Sequence, residues 1–131
     1  LPMRTVARVL CVLATTAAAT LVPLDAPPPL SSPVFSLATL DAAGRTNMNV
    51  LTYATPVGIR PTRLWAISLY RGTLSHANWI ARPEGVLQQL AAAHAPLMWE
   101  LGGTSGAEAD KAAACAARDF AWLECAECNE R

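Results

Sequence analysis

The chain has 131 residues, 53% of them hydrophobic and 15% charged, and its ten basic and ten acidic side chains cancel to a formal net charge of zero. That length allows one domain at most, and the composition is too apolar for a disordered chain. The Lys and Arg residues are scattered rather than gathered in runs, so the electrostatic footprint of a nucleic-acid binder is excluded.

Residues 3–20 (MRTVARVLCVLATTAAAT) carry Arg4 and Arg8, a short apolar run and then small residues, with no acid before Asp25. That is the grammar of a targeting segment. The apolar run is well short of the ~20 residues that cross a bilayer as a helix, so no membrane span is expected. A plastid or mitochondrial transit peptide fits the two arginines and the Ala/Thr richness, and a secretory signal fits Ala17 to Ala19. The proline-dense stretch that follows (PLDAPPPLSSP) is stiff and cannot join a sheet. It closes a leader and linker over 1–33, leaving a domain over 34–131.

Residues 34–40 (VFSLATL) read as a first strand and 46–53 as a second. Between them Asp41-Ala-Ala-Gly44 is a turn whose glycine can adopt positive φ, so the pair is expected to form a β-hairpin. A loop over 56–61 leads to a third strand, 64–70 (LWAISLY), bounded by Pro61 and Gly72. Three strands in succession predict a β-meander. Straight after the third strand come Arg71, Gly72, Thr73, Ser75 and His76. Glycine lets backbone amides approach an anion, a following helix N-terminus adds partial positive charge, and the hydroxyls and Arg71 add donors. This is a candidate phosphate cradle. It is not a P-loop, since GxxxxGK[ST] is absent.

Ser75 is expected to cap a short helix over 76–82 that Pro83 and Gly85 end. Residues 86–90 fit a helix or a buried strand equally well. A helical turn over 97–101 closes at Gly102-Gly103. Ser105 to Glu108 then has capping-box spacing and predicts an Ala-rich helix running to Arg118. The tail from Phe120 shows no period. The whole reads as a mainly β domain with flanking helices (α+β).

Together, the hairpin LATLDAAGRTNMNVLTYATPV, the strand and cradle RLWAISLYRGTLSHAN and the later TSGAEADK resemble the flavin reductase-like proteins built on an FMN-binding split barrel, over roughly residues 34–111. In that family the flavin lies across the barrel's open side, usually at a dimer interface. The resemblance implies that Asn49, Val50, Leu51 and Thr52 meet the isoalloxazine and ribityl groups, through their backbone and the Thr52 hydroxyl. It implies that Ser68, Leu69, Tyr70, Arg71, Thr73, Ser75 and His76 hold the phosphate. It also implies an FMN cofactor, NAD(P)H as hydride donor to the flavin, and a homodimer. The family's last strands have no counterpart after Lys111, so an incomplete split barrel is expected.

Plainer readings stand beside these. Thr73, Ser75 and His76 also suit an ordinary strand-to-helix turn, Arg71 a solvated edge charge, and Asn49 and Thr52 polar positions on a hairpin's outer face. Trp65, Trp79, Trp99 and Trp122 read as core, and His94 as structural or exposed. A non-catalytic FMN-binding module is the alternative to a reductase. The remaining rival is a small thiol or zinc protein built on Cys125-Ala-Glu-Cys128, with Cys115 and His94 as possible further ligands. That motif has no second CxxC and no HxxxH. Four cysteines are too few for a disulfide scaffold and point to a reducing or neutral compartment.

Overall fold

The computed structural model describes residues 31–125 together with Asp25, so the expected targeting segment and Cys128 lie outside the described residues. Two compact units divide the chain, Leu1–Leu30 and Ser31–Arg131, and the elements below all belong to the second. They are strands β1 (Phe35–Leu40), β2 (Thr46–Leu51), β3 (Ala54–Gly58), β4 (Leu64–Ile67) and β5 (Gly85–Gln89), and helices α1 (Leu74–Ala81), α2 (Met98–Gly102) and α3 (Lys111–Ala116). A 3-10 helix over Ala92–Leu97 leads into α2.

The first hairpin forms as its turn chemistry requires. Asp41 Oδ1 accepts the amides of Ala43 at 2.9 Å and Arg45 at 2.8 Å, while Gly44 takes φ +80°. The Arg45 amide, more than any other group, holds the Asp41 carboxyl below its usual range, with help from the Arg45 side chain and the Ala43 amide. The pairing sets Phe35 opposite Leu51, Leu37 opposite Asn49 and Thr39 opposite Asn47.

The meander does not form. β1 takes β5 on its other side, giving the order β2-β1-β5, and β3 pairs with β4 in a separate two-stranded sheet. Three sequence expectations change with it. The second strand ends at Leu51 rather than residue 53, half of the expected loop over 56–61 is β3, and the third strand stops at Ile67 rather than residue 70. Pro56 hid β3, because proline signals a loop yet is tolerated where no ladder amide is needed. The pairing slips between Pro56 and Gly58, as a bulge would. Of residues 86–90, open between helix and strand, 86–89 belong to β5. Gly85 makes that possible, since a Cβ there would lie 2.6 Å from the Ala38 carbonyl oxygen. Among the described residues these antiparallel strands do not close a barrel.

Directly opposed residues of an antiparallel pair share a face. One face of the sheet carries Phe35, Leu37 and Leu51, joined by Ala54, Ile67, Leu69, Trp79 and Leu87. The other carries Met48 and Val50, which pack on Leu97, Leu101 and Cys115 together with Phe120 and Trp122. Trp79 and Trp122 are core residues as expected. Trp65 and Trp99 are not, being 46% and 72% exposed.

The expected capping box is also corrected. Ser105 to Glu108 forms a turn, with the Glu108 amide donating to the Ser105 carbonyl at 3.0 Å, and α3 starts only at Lys111, capped by Asp110 Oδ1 on the Ala113 amide at 3.0 Å. Gly106 occupies that turn beneath Asn47, where a Cβ would lie 2.1 Å from Asn47 Oδ1. Lys111 is 5% exposed and donates from Nζ to the Met48 carbonyl at 3.0 Å and the Leu101 carbonyl at 2.6 Å, pinning β2 to α2. Burial lowers its pKa from the ordinary 10.5, with Cys115 one turn along opposing the shift.

Two tests follow from this packing. Gly106→Ala must displace either the turn or the Asn47 carboxamide and should cost about 1–3 kcal/mol of stability, read from the urea midpoint; an unchanged midpoint would deny the close approach. For Lys111, the unfolded chain holds the proton more tightly than the fold does, so stability rises with pH between the lowered native pKa and about 10.5. The midpoint of the native chain should therefore gain on that of Lys111→Met across that window, whereas a gap constant with pH would show that Lys111 titrates normally.

Candidate functional site

The β3–β4 pairing is carried one step past Ala54 and Ile67 by a backbone bond, the Ser68 amide donating to the Tyr53 carbonyl at 3.0 Å. Around that junction lies a cleft of about 570 Å³ whose lining includes Phe35, Thr52, Tyr53, Trp65, Ile67 and Ser68. Its volume falls in the ~300–1,000 Å³ range of small-molecule sites. Phe35 and Trp65 meet edge to face, with ring centroids 5.7 Å apart and planes at 75°. Trp65 and Tyr53 keep half or so of their surface open to solvent. The walls are thus largely aromatic and apolar, with polar groups from Thr52, Thr55, Ser68 and Gln89 among them.

From Ser68 the chain passes through Leu69, which packs into the core, and exposed Tyr70 and Arg71 to Gly72. Gly72 takes φ +83° with nothing within 4 Å of where a Cβ would be. The space beside it is open. The helix cap is Thr73, not Ser75, and α1 begins two residues earlier than expected. Thr73 Oγ1 donates to the Tyr70 carbonyl at 2.8 Å and accepts the His76 amide at 3.2 Å. Threonine's preference for the cap and its reach to the third helical amide explain the choice. The first two helix amides, of Leu74 and Ser75, have no intrahelical acceptor.

Ser75 itself is 2% exposed, and its Oγ accepts from Asn47 Nδ2 at 2.9 Å. Asn78 Nδ2 donates to Thr39 Oγ1 at 3.2 Å, and Thr39 Oγ1 in turn to the Asn47 carbonyl at 3.4 Å. Two polar ties therefore key α1 onto the sheet.

The sequence candidates thus fall into three places. Thr52 and Ser68 share the cleft. Tyr70, Arg71, Thr73, Ser75 and His76 surround the start of α1. Asn49, Val50 and Leu51 lie along β2, where alternation sends Val50 to the α2 side and Leu51 into the first core. Asn49 shares the face of Asn47 and Leu51, and its Oδ1 is buried with no hydrogen-bond partner. A buried acceptor of that kind calls for a donor.

Phe35, Tyr53 and Trp65 as cleft walls, and Asn47 as the partner of Ser75, escaped the sequence reading. Asn47 had one visible signal, its polar character at a strand position where the alternation calls for an inward side chain.

Among the described residues, the remaining candidates do not come together, and Cys128 lies outside them. His94 Nδ1 accepts the Ala91 amide at 3.0 Å and the ring leans on Phe120 at 5.6 Å, which is a structural role. Cys115 is buried and Cys125 is disulfide-bonded. Among the described residues no group of three or more His, Cys, Asp or Glu is placed to hold a metal. Among them, too, no helix is long and apolar enough to cross a membrane.

No family model matches this chain, and no curated protein sequence matches it. Among solved structures, flavoredoxin of Desulfovibrio vulgaris (Miyazaki F) is similar, with a TM-score of 0.65 and 22% identity over 74% of this chain and 53% of that one. The chain spans about half the length of that protein, and at this identity the two share a fold.

Proposed function

We propose that this chain binds flavin mononucleotide, with the isoalloxazine ring in the Phe35–Trp65 cleft and the phosphate at the start of α1. The observation that carries the reading is the continuity of the two places. An aromatic cleft of suitable volume has Ser68 in its lining, and four residues further on the chain reaches the Gly72 turn and two helix amides with no intrahelical acceptor. Arg71 and the two amides form a donor set suited to a dianion, while the Thr73 hydroxyl is committed to the Tyr70 carbonyl and Ser75 is buried against the sheet. Thr52 and the buried Asn49 acceptor lie along the strand that would follow the ring and ribityl chain. The likeness of fold to flavoredoxin supports the same reading.

On this reading the strands form one side of a split barrel. The protein acts as an oxidoreductase that takes a hydride from a nicotinamide nucleotide. Bound flavin supplies the hydride chemistry, while the chain binds, orients and excludes water. The exposed Tyr53 and Trp65 leave the cleft approachable from solvent. Continuous with them, Val57, Ile59 and Leu64 form an exposed apolar surface on the β3–β4 hairpin, and the occupant proposed for it is a second copy of the chain.

Titration of the apo-protein with FMN, followed by flavin absorbance, tests the reading directly, and NADPH- or NADH-dependent bleaching separates a reductase from a binding module. Arg71→Ala should weaken FMN binding by about 1.5–3 kcal/mol while leaving thermal stability alone; an unaltered dissociation constant would remove Arg71 from the site. Ile59→Asp with Leu64→Asp should convert a sedimenting dimer to monomer, and a native chain already monomeric at micromolar concentration would reject the second copy.

A further inference from the structure

We propose that Asn47 is a positioning residue for the phosphate end of this site, acting through Ser75. The inference rests on the flavin reading above and deepens it. Asn47 is 6% exposed and Ser75 2%, so the bond between them is made out of water. Because Asn47 Nδ2 donates to Ser75 Oγ, the hydroxyl hydrogen of Ser75 is directed away from Asn47. Ser75 is buried on the sheet side of the helix, so what the bond places is the backbone at the head of α1, with the amides of Leu74 and Ser75.

The same bond fixes where that head sits. Ser75 and Asn78 are three residues apart and share the inward face of α1, and each reaches a polar partner on the sheet. Apolar contacts tolerate sliding, whereas two short directional bonds set the helix's rotation and height. Gly106 closes the arrangement, since its bare Cα lets the loop press onto the Asn47 carboxamide and limit its movement.

The pair is not there for stability. Asn47 Oδ1 is buried without a partner, which costs stability, and matched apolar side chains at 47 and 75 would fill the space without that cost. What a polar pair adds is a fixed placement of the two amides at the helix head.

The test measures binding of FMN and of riboflavin, which lacks the phosphate, by the native chain, Asn47→Ala, Ser75→Ala and the double variant. Asn47→Ala should weaken FMN about tenfold or more and leave riboflavin little changed, and in the Ser75→Ala background it should cost FMN nothing further. Asn47→Ser, whose side chain is an atom shorter, replaces Asn47→Ala in the cycle if that variant does not fold. Equal losses of both flavins, or losses that add in the double variant, would show a merely structural Asn47 and overturn the proposal. A native chain that binds FMN while the Asn47 variants bind it equally well overturns the positioning role alone. A native chain that binds neither flavin removes the flavin reading and this proposal with it.

Discussion

The structure depends on β2 being buried on both faces. Its alternation sends Asn47, Asn49 and Leu51 one way and Met48 and Val50 the other, and each set has its own cover. A strand of an antiparallel sheet usually keeps one face for solvent. Here α1 lies on one side and α2 and α3 on the other. A slip of one residue in the pairing with β1 would turn Asn47 and Asn49 into the Leu97–Leu101 cluster and Val50 under α1. The register of Thr39 against Asn47 is therefore what the helices, the Lys111 pin and the start of α1 all inherit.

The two faces are held in different ways. On the α2 side the contact is a small apolar cluster backed by the buried Lys111 ammonium, which ties the Met48 and Leu101 carbonyls together while its own burial disfavours the charge. On the α1 side, one end is apolar, at Phe35 and Leu51, and the other is polar, at Thr39, Asn47, Ser75 and Asn78. Buried polar groups at the second end give less net stabilisation than hydrocarbon but restrict geometry more.

Local signals in the sequence located much of this. The Asp41–Gly44 turn, the hairpin around it and a helix after Gly72 were legible because each depends on residues near in sequence. The failures were non-local. Whether 86–90 is helix or strand is decided by Gly85 meeting the Ala38 carbonyl, 47 residues back in the chain, and no window around Gly85 contains that fact. Pro56 concealed β3, and the Ser105–Glu108 spacing gave a cap signature that the Gly106–Asn47 approach overrides. At the candidate site, the residues at the α1 start were legible by type and order. The cleft walls were not, because Phe35 and Trp65 meet only once β1 and the β3–β4 hairpin are in place.

The spacing of the two ends of the candidate site is itself a consequence of the strand. The cleft adjoins Phe35 and its partner Leu51, while the start of α1 is tied to Asn47, four residues earlier on the same strand. At ~3.3 Å per residue that is about 13 Å along one rigid element. The cleft and the head of α1 are therefore held a fixed distance apart. Asn49, with its buried and unsatisfied acceptor, lies midway between them on the face that Asn47 and Leu51 share. A strand sets this distance more firmly than a loop could, so the spacing belongs to the fold rather than to the side chains around Gly72 and Ser75.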